Sequence, residues 1–263
     1  MRFFYIYTMT INRIYSLFKK YPCIVTDSRK VVKNSLFFAL KGENFDGNKF
    51  AGDALKKGAA FAIIDDEKYA SEANTILVEN ALEALQKLAL LHRKQLDIPL
   101  LAITGSNGKT TTKELIAAVL SKKFNISYTR GNLNNQIGVP ITLLEMTNET
   151  EFGIVEMGAN HPGEIGFLAS ASDPDYGIIT NIGRAHIEGF GSFEGVKRTK
   201  AELYDYLKAK GGTVFFNRSN LILKELTDGI KHLVSYGKEE ADLTGAPVQS
   251  SPFIHAKVNF PEG

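Results

Sequence analysis

The chain reads Leu100-Leu101-Ala102-Ile103-Thr104 and then Gly105-Ser106-Asn107-Gly108-Lys109-Thr110-Thr111, an apolar strand pattern that runs into a glycine turn. A helical pattern follows from about Thr110 to Leu120. In a strand–turn–helix of this kind, glycines let backbone N–H groups converge on an anion, and the positive end of the helix dipole adds to the attraction. The stretch predicts a phosphate-binding loop within an α/β domain.

Lys109 and Thr110 carry the side chains that a bound nucleotide needs at this position. A lysine there can reach the terminal phosphates of ATP, and a threonine hydroxyl can hold Mg²⁺. We therefore predict ATP-binding residues at Gly105, Ser106, Asn107, Gly108, Lys109, Thr110 and Thr111. Two residues separate the glycines where the common pattern has four, which argues against the common GTPases and helicases. The alternative is a glycine-rich turn that Lys-Thr follows by chance.

Short apolar runs alternate with helical patterns on both sides of the loop. Before it we predict strands at residues 35–40, 60–64 and 75–78 and helices at 50–57 and 81–93; after it we predict strands at 152–156, 176–181 and 212–216. This alternation predicts an α/β fold with a mainly parallel sheet. Asp97-Ile98-Pro99 breaks the pattern, so we place a boundary between two domains, 1–97 and 98–263. We expect a ragged start and an irregular, unfinished chain beyond Tyr236.

Bulk properties exclude several classes of partner. Lys+Arg 31 against Asp+Glu 29 gives a net charge of +2, so no excess charge points to nucleic acid or an anionic membrane. No run approaches the ~18 apolar residues of a membrane span. The single cysteine, Cys23, excludes an internal disulfide and fits a reducing cytosol. We expect a cytoplasmic monomer.

Four stretches of the sequence together resemble the Mur ligase family. They are residues 103–111, 131–140, 156–160 and 180–192. In front of the loop, Thr26-Asp27-Ser28-Arg29 and the segment 37–47 are similar to the uridine-nucleotide domain of that family. The resemblance runs from about Ile24 to about Gly245. It implies a small N-terminal domain (1–97) that binds a UDP-substrate and a truncated central P-loop ATPase domain (98–263), with the family's C-terminal domain absent.

The resemblance also implies a reaction, the ATP-dependent formation of an amide bond through an acyl phosphate. The stretches are most similar to the family member that joins D-alanyl-D-alanine to UDP-MurNAc-tripeptide in peptidoglycan precursor synthesis. Phosphoryl transfer to a carboxylate brings two anions together, so clustered cations are required. The implied cations are Lys109, as a catalytic residue, and Mg²⁺ at two sites.

Two alternatives to this function stay open. The first is a Mur-type ligase with a different amino substrate. The second is a nucleotide-binding fragment without turnover, because family groups near adenine and the phosphates lie beyond residue 263. We expect little or no ligase activity from these 263 residues alone.

Three further residues have the character of metal ligands under the resemblance. Glu156 ends a predicted strand, where an α/β sheet places ligand groups, and its oxygens suit Mg²⁺. The family match makes His186 a catalytic ligand of a second metal, and it makes Lys200 a catalytic lysine that binds that metal as a carbamate. CO₂ adds only to a neutral amine, so the pKa of Lys200 must be depressed. Each residue has an alternative role. Glu156 could be an acid that caps a turn, His186 a structural histidine, and Lys200 part of the charged face of a helix.

Substrate-binding residues are expected in two groups. Asn132, Asn134 and Asn135 offer side-chain amides for substrate or metal-bound water, with a simple turn as the alternative. In the N-terminal domain, the resemblance assigns the uridine nucleotide to Ser28, Arg29, Asp46 and Gly47, with charge-assisted hydrogen bonds from Arg29.

Overall fold

The computed structural model describes residues 2–70, 74–184, 187–249, 251 and 255–259. The chain divides into two compact units. The first comprises Met1–Asp97 and Gln136–Asn148, and the second comprises Ile98–Asn135 and Glu149–Gly263. The sequence pattern gave no sign that residues 136–148 would join the first unit.

The first unit is an α/β unit with a parallel sheet. Its strands are β1 (Ile24–Val25), β2 (Leu36–Phe38), β3 (Lys41–Gly42), β4 (Phe45–Asp46), β5 (Phe61–Ile64) and β6 (Thr75–Leu77). Its helices are α1 (Arg2–Lys20), α2 (Ala51–Lys56), α3 (Ala81–Gln95) and α5 (Gly138–Leu144), with 3₁₀ turns at Gly47–Phe50 and Glu67–Tyr69. The sheet order is β1-β2-β5-β6, and β3 and β4 form a separate antiparallel pair.

Apolar spacing explains the helices of this unit. Leu85 and Leu88 lie on the buried face of α3, which packs against α1 and α5. The structure has a helix, α1, over Arg2–Lys20 that the sequence pattern did not predict. Ile11, Ile14 and Phe18 recur at helical spacing in α1 and are buried, which gives this segment an apolar face to pack.

The second unit contains a larger sheet. Its strands are β7 (Leu100–Thr104), β8 (Ile126–Tyr128), β9 (Phe152–Glu156), β10 (Tyr176–Ile179), β11 (Thr213–Asn217), β12 (His232–Gly237), β13 (Leu243–Gln249) and β14 (His255–Asn259). Its helices are α4 (Lys109–Leu120), α6 (Glu164–Ser172), α7 (Ile187–Phe190), α8 (Phe193–Lys210) and α9 (Leu221–Glu225). The order is β14-β13-β12-β11-β10-β7-β9-β8. Every pairing in it is parallel except β13 with β14.

The expectation of an irregular chain beyond Tyr236 was wrong. β13 and β14 form an antiparallel hairpin at the edge of the sheet. Much of β13 and all of β14 are exposed, so these strands need no apolar alternation. Gly245 and Pro247 further weaken the strand pattern that the sequence presents.

The strand order places a crevice beside β7. The chain leaves β7 towards β9 and β8 on one side and later towards β10 and β11 on the other. Ligands of open α/β sheets bind at such a reversal of strand order, outside the carboxyl ends of the strands. Thr104 is paired with Ile179, and Ile103 with Glu156, so three strand ends meet at one edge.

Helices cover the two faces of this sheet near β7. Ala117 of α4 packs with Leu101 and Ile103. On the other face, Gly177 has no side chain, which leaves room for Leu207 of α8. Among the helices within the described residues, none combines the length and the apolar character that a membrane span requires.

Candidate active site

The loop between β7 and α4 has a backbone that only glycine adopts readily at two positions. Gly105 has φ +145° and Gly108 has φ +76°. A Cβ on Gly105 would collide with the Thr180 hydroxyl, whereas a Cβ on Gly108 would meet nothing within 4 Å. Position 105 therefore requires glycine because of its positive φ and because a side chain would clash there. Position 108 favours glycine because of its positive φ alone.

The segment after β10 holds this loop in place through hydrogen bonds. The Thr180 hydroxyl donates to the Asn107 carbonyl oxygen over 2.7 Å, and the Asn181 amide donates to the same oxygen over 3.0 Å. In return, the Asn107 backbone N–H donates to Asn181 Oδ1 over 3.1 Å. The Ser106 backbone N–H donates to the Asn181 carbonyl over 3.0 Å. The loop is thus held in shape by hydrogen bonds to the segment that follows β10.

Thr180 and Asn181 were not assigned roles from the sequence. Both follow β10, which lies next to β7 in the sheet. Their position at the end of the predicted strand 176–181 is the signal that could have identified them, because carboxyl ends of adjacent parallel strands meet at one edge.

Lys109 lies in the first turn of α4 and folds back over the loop. Its Nζ donates to the carbonyl oxygens of Gly105 over 2.8 Å and Ser106 over 3.4 Å. Burial lowers the pKa of Lys109, although the negative charge of Glu156 opposes that shift. The lysine charge therefore lies at the loop and close to a carboxylate.

Glu156 ends β9 and is 1% exposed. Its Oε1 accepts hydrogen bonds from Thr110 Oγ1 over 3.2 Å and from Asn134 Nδ2 over 2.9 Å. Its Oε2 has no hydrogen-bond partner within the described part of the chain. The sequence predicted that Thr110 and Glu156 would lie together, and the structure brings them into contact.

The residues around Glu156 fit a divalent cation. Among the described residues, Oε2 has no hydrogen-bond donor, and Lys113 Nζ lies 3.6 Å from it, beyond hydrogen-bond distance. A further cation or a water would stabilise a buried carboxylate that is so incompletely bonded. Mg²⁺ prefers carboxylate and hydroxyl oxygens and keeps several of its waters. Among the described residues, no three His, Cys, Asp or Glu side chains form a group that could hold a metal. A cation here would therefore use Glu156 with Thr110 and non-protein oxygens.

One asparagine of the predicted cluster reaches this carboxylate. The Asn134 side-chain amide donates to Glu156 Oε1. The backbone carbonyl oxygen of Asn134 accepts from the Gly158 backbone N–H over 2.7 Å. Asn132 and Asn135 are exposed, and the contacts described for Glu156 do not include them. The amide of Asn134 packs tightly against Gly158, where a Cβ would come within 3.1 Å of it.

Lys200 lies in α8 and is 3% exposed, so the alternative of a solvated helix face is wrong for this residue. Burial, followed by repulsion from Lys109, lowers the pKa of Lys200 to about 8. Its Nζ lies 5.6 Å from the centre of the Phe190 ring. The contacts described for Lys200 do not join it to Thr110 or Glu156. His186, the other predicted ligand of a second metal, lies outside the described residues.

The four predicted uridine-nucleotide residues lie in the first unit. Arg29 is 86% exposed and forms a two-point ion pair with Asp27, whose hydrogen bonds from Arg29 lower the pKa of Asp27 to about 2. The Ser28 carbonyl accepts from Lys57 Nζ over 2.9 Å. No described contact joins Ser28 or Arg29 to Asp46 or Gly47.

Asp46 and Gly47 have structural partners of their own. Asp46 Oδ1 accepts from the backbone and side-chain N–H groups of Asn48, over 3.0 and 2.9 Å. A Cβ on Gly47 would collide with the Leu40 backbone. These contacts shape the turn after β4, and a nucleotide role for the turn stays a prediction.

A separate apolar groove of about 480 Å³ lies on the α4 side of the large sheet. Its lining includes Leu120, Phe152, Tyr176, Phe215 and Tyr236. None of the predicted site residues that the structure describes is among the residues that line it.

Two family models match the chain. The Mur ligase middle domain matches residues 103–259, and the Mur ligase family catalytic domain matches residues 20–93. A UDP-N-acetylmuramoyl-tripeptide–D-alanyl-D-alanine ligase from Synechocystis is 43% identical over 84% of this chain and 50% of its own length. The ligase of the same name from Escherichia coli is 43% identical over 72% of this chain and 41% of its own.

Solved structures give a consistent comparison. MurF from Acinetobacter baumannii matches with a TM-score of 0.80 and 34% identity, over 90% of this chain and 53% of that one. MurF ligase from Thermotoga maritima, solved in complex with ADP, matches with a TM-score of 0.78 and 31% identity, over 85% and 52%. The chain spans about half the length of the curated relatives that it matches.

Proposed function

The chain belongs to the Mur ligase family, and we propose that it serves the ATP-dependent joining of D-alanyl-D-alanine to UDP-MurNAc-tripeptide in peptidoglycan precursor synthesis. Support for the substrates comes from the curated relatives at 38–43% identity whose names state this reaction. The observation that carries the proposal is the buried, incompletely bonded carboxylate of Glu156 in contact with Thr110 beside the glycine loop. ATP and UDP-linked substrates are cytoplasmic metabolites, so the reaction would take place there.

The first step would transfer the γ-phosphoryl group of ATP to the substrate carboxylate. Backbone N–H groups of the loop at residues 105–111 would bind the phosphates, helped by the N-terminal end of α4. Lys109 Nζ, which now donates to loop carbonyls, would exchange them for phosphate oxygens. The exchange brings a positive charge to the transferred group, where negative charge accumulates.

Mg²⁺ would be held by Glu156 and Thr110, and it supplies Lewis-acid charge that offsets repulsion between the two anions. Asn134 fixes the orientation of the Glu156 carboxylate through a hydrogen bond to Oε1. The hydrogen bonds from Thr180 and Asn181 to the Asn107 carbonyl would keep the loop in shape for the phosphates. In the second step, the amine of the dipeptide attacks the acyl phosphate, the C–N bond forms, and phosphate leaves.

Lys200 is proposed as the carbamate that serves a second metal, together with His186. Addition of CO₂ to the neutral amine forms an N–C bond and releases one proton. A pKa lowered to about 8 gives an appreciable neutral fraction near neutral pH, which supports this role. Mass spectrometry in bicarbonate tests it, with Lys200→Ala as the comparison. A wild-type chain that gains no carbamate mass relative to Lys200→Ala would remove the role.

The first unit is proposed to bind the uridine nucleotide through Ser28, Arg29, Asp46 and Gly47. We also propose the division of labour between residues 1–97 and 98–263, with substrate held by the former and ATP by the latter. Titration with UDP-MurNAc-tripeptide tests the assignment. Arg29→Ala should weaken binding, and Lys30→Ala, an exposed cation next to it, should leave binding nearly unchanged.

Two alternative functions would use the same nucleotide site. One is ligation of a different amino substrate, and the other is nucleotide binding without turnover. The purified chain should be given ATP, Mg²⁺ and UDP-MurNAc-tripeptide with a panel of amines, while ADP, phosphate and peptide product are measured. We expect Mg²⁺-dependent ATP binding with little or no peptide product. Strong turnover with D-alanyl-D-alanine would contradict the expectation of an inactive chain, and turnover with another amine alone would contradict the proposed substrate.

A further inference from the structure

Lys113 is a buried cation that faces the carboxylate of Glu156. It lies in α4, one helical turn after Lys109, and its side chain is 0% exposed. Its Nζ is 3.6 Å from Glu156 Oε2, which is too long for a hydrogen bond. Among the described residues, neither of these two atoms has a hydrogen-bond partner. Two opposite charges thus face each other inside the protein at a distance that leaves both incompletely satisfied.

The surroundings make Lys113 the main fixed counter-charge at Oε2. Thr110 and Asn134 give neutral hydrogen bonds, and both go to Oε1. Lys113 also lies 3.2 Å from Glu114 Oε1, but the Glu114 side chain is 52% exposed. Water screens that second pair far more than the buried one. Lys109 acts on Glu156 from the loop, but its Nζ is bonded to carbonyl oxygens.

We propose that Lys113 is a positioning residue that balances the charge of Glu156 until a divalent cation binds, and so sets the Mg²⁺ concentration that the site needs. This inference rests on the proposed function, because it takes Glu156 as the Mg²⁺ ligand. The ammonium group faces Oε2 and helps to fix the orientation of the carboxylate. Its fixed positive charge also opposes the arrival of Mg²⁺ at the same carboxylate.

Linkage gives the direction of the effect. Removal of the ammonium leaves a buried carboxylate without a counter-charge, which penalises the metal-free protein strongly. The metal-bound protein is penalised less, because the cation replaces the lost charge. The variant should therefore be less stable without metal and should bind metal more tightly. A side chain that merely fills space would lower the stability of both forms and leave the metal affinity unchanged.

The test compares Lys113→Met, which keeps the length and removes the charge, with Lys113→Arg, which keeps the charge. Mn²⁺ is the probe, and electron paramagnetic resonance measures its free concentration in the presence of fixed ADP, with protein-free samples subtracted. For Lys113→Met we expect about tenfold tighter Mn²⁺ binding and a Tm without metal that is lower by about 5 °C or more. Lys113→Arg should bind Mn²⁺ much as the wild type does.

Unchanged or weaker Mn²⁺ binding by folded Lys113→Met overturns the inference. If the wild-type protein itself binds no Mn²⁺ with ADP, the proposed function fails, and the inference fails with it. If Lys113→Met does not fold, the double variant with Glu156→Gln decides. Recovery of the folded state when both charges are removed supports the pairing, and continued misfolding contradicts it.

Discussion

Thr110 Oγ1 donates a hydrogen bond to Glu156 Oε1 over 3.2 Å, which ties the first turn of α4 to the end of β9. The two residues are 46 positions apart in the chain. The contact brings the glycine loop at residues 105–111 and an acidic strand end into one site. It is the geometric basis for the proposed binding of Mg²⁺ with ATP.

Replacement of Asn134 by alanine should destabilise the protein through Glu156. The change removes the 2.9 Å hydrogen bond to Oε1, and hydrogen bonds to charged groups contribute about 1.5–3 kcal/mol. We expect a loss of that size in the free energy of unfolding, measured by urea denaturation. Asn132→Ala is the matched control, since Asn132 is exposed, and it should cost less than about 0.5 kcal/mol. Equal losses in the two variants would contradict the assigned contact.

Gly105→Ala should damage the phosphate loop more than an alanine at another glycine of positive φ. The backbone there has φ +145°, and the new Cβ would collide with Thr180. Gly131 has φ +53° and open space around a Cβ, so Gly131→Ala should cost only about 1–2 kcal/mol. We expect Gly105→Ala to exceed that loss and to abolish measurable ATP binding. A Gly105→Ala protein with normal ATP affinity would show that the loop conformation is not required.

Lys200→Met should stabilise the protein at neutral pH. Burial and Lys109 lower the pKa of Lys200 to about 8, so the folded protein is penalised by its charged form, on the order of 1–3 kcal/mol. Between the folded pKa near 8 and the higher pKa of the unfolded chain, the unfolded state binds more protons, and the stability of the wild type rises with pH. The advantage of the variant should therefore be largest below pH 8 and should shrink above it.

Denaturant unfolding from pH 7 to 10 in CO₂-free buffer measures this difference. Lys197→Met on the same helix is the control, because an ion pair with Glu225 raises the pKa of Lys197. It should give no gain at neutral pH. Parallel stability curves for wild type and Lys200→Met across the range would rule out the depressed pKa.

Asn48→Ala should destabilise the first unit. Asn48 is 0% exposed; its Nδ2 donates to Asp46 and Asp65, and its Oδ1 accepts from the Asp65 backbone N–H. We expect a loss of about 2–4 kcal/mol, measured by thermal or urea unfolding, against less than about 0.5 kcal/mol for the exposed neighbour in Lys49→Ala. A loss no larger than that of Lys49→Ala would mean that the buried network contributes little.

The loss of stability caused by Asn48→Ala should also depend on pH. The Asn48 side chain lowers the pKa of Asp46. Burial alone would raise the pKa of Asp65, but hydrogen bonds from Lys41 and Asn48 lower it on balance. A carboxyl group with a lowered pKa contributes stability above its unfolded pKa and loses it as the pH falls. The gap between wild type and Asn48→Ala should therefore narrow below about pH 4.

The buried parallel strands were the most predictable part of the fold. β7 and β9 match the predicted bounds at 100–104 and 152–156, because strands buried on both faces read as continuous apolar runs. The meeting of Thr110 with Glu156 was predictable for a related reason, since both lie at the carboxyl edge of one parallel sheet. The exposed hairpin β13–β14 has no such run, and it was missed.

The finer contacts of the site could not be predicted from the sequence. The hydrogen bonds that Thr180 and Asn181 make with the glycine loop depend on the register between β10 and β7. The approach of Lys113 to Glu156 depends on which side of α4 faces β9, and a lysine is expected on the exposed side of a helix. The three asparagines have the same chemistry, and Asn134 is distinguished only in the structure, by its hydrogen bond to Glu156 and its packing against Gly158.

Calorimetric titration of ATP, with and without Mg²⁺, into the wild-type chain and into Glu156→Gln tests the central claim most directly. We predict that Mg²⁺ strengthens ATP binding to the wild type and that this gain is lost in Glu156→Gln, because an amide replaces the carboxylate that accepts the hydrogen bond from Thr110. Equal Mg²⁺ dependence in both proteins, or ATP binding by the wild type that ignores Mg²⁺, would contradict it.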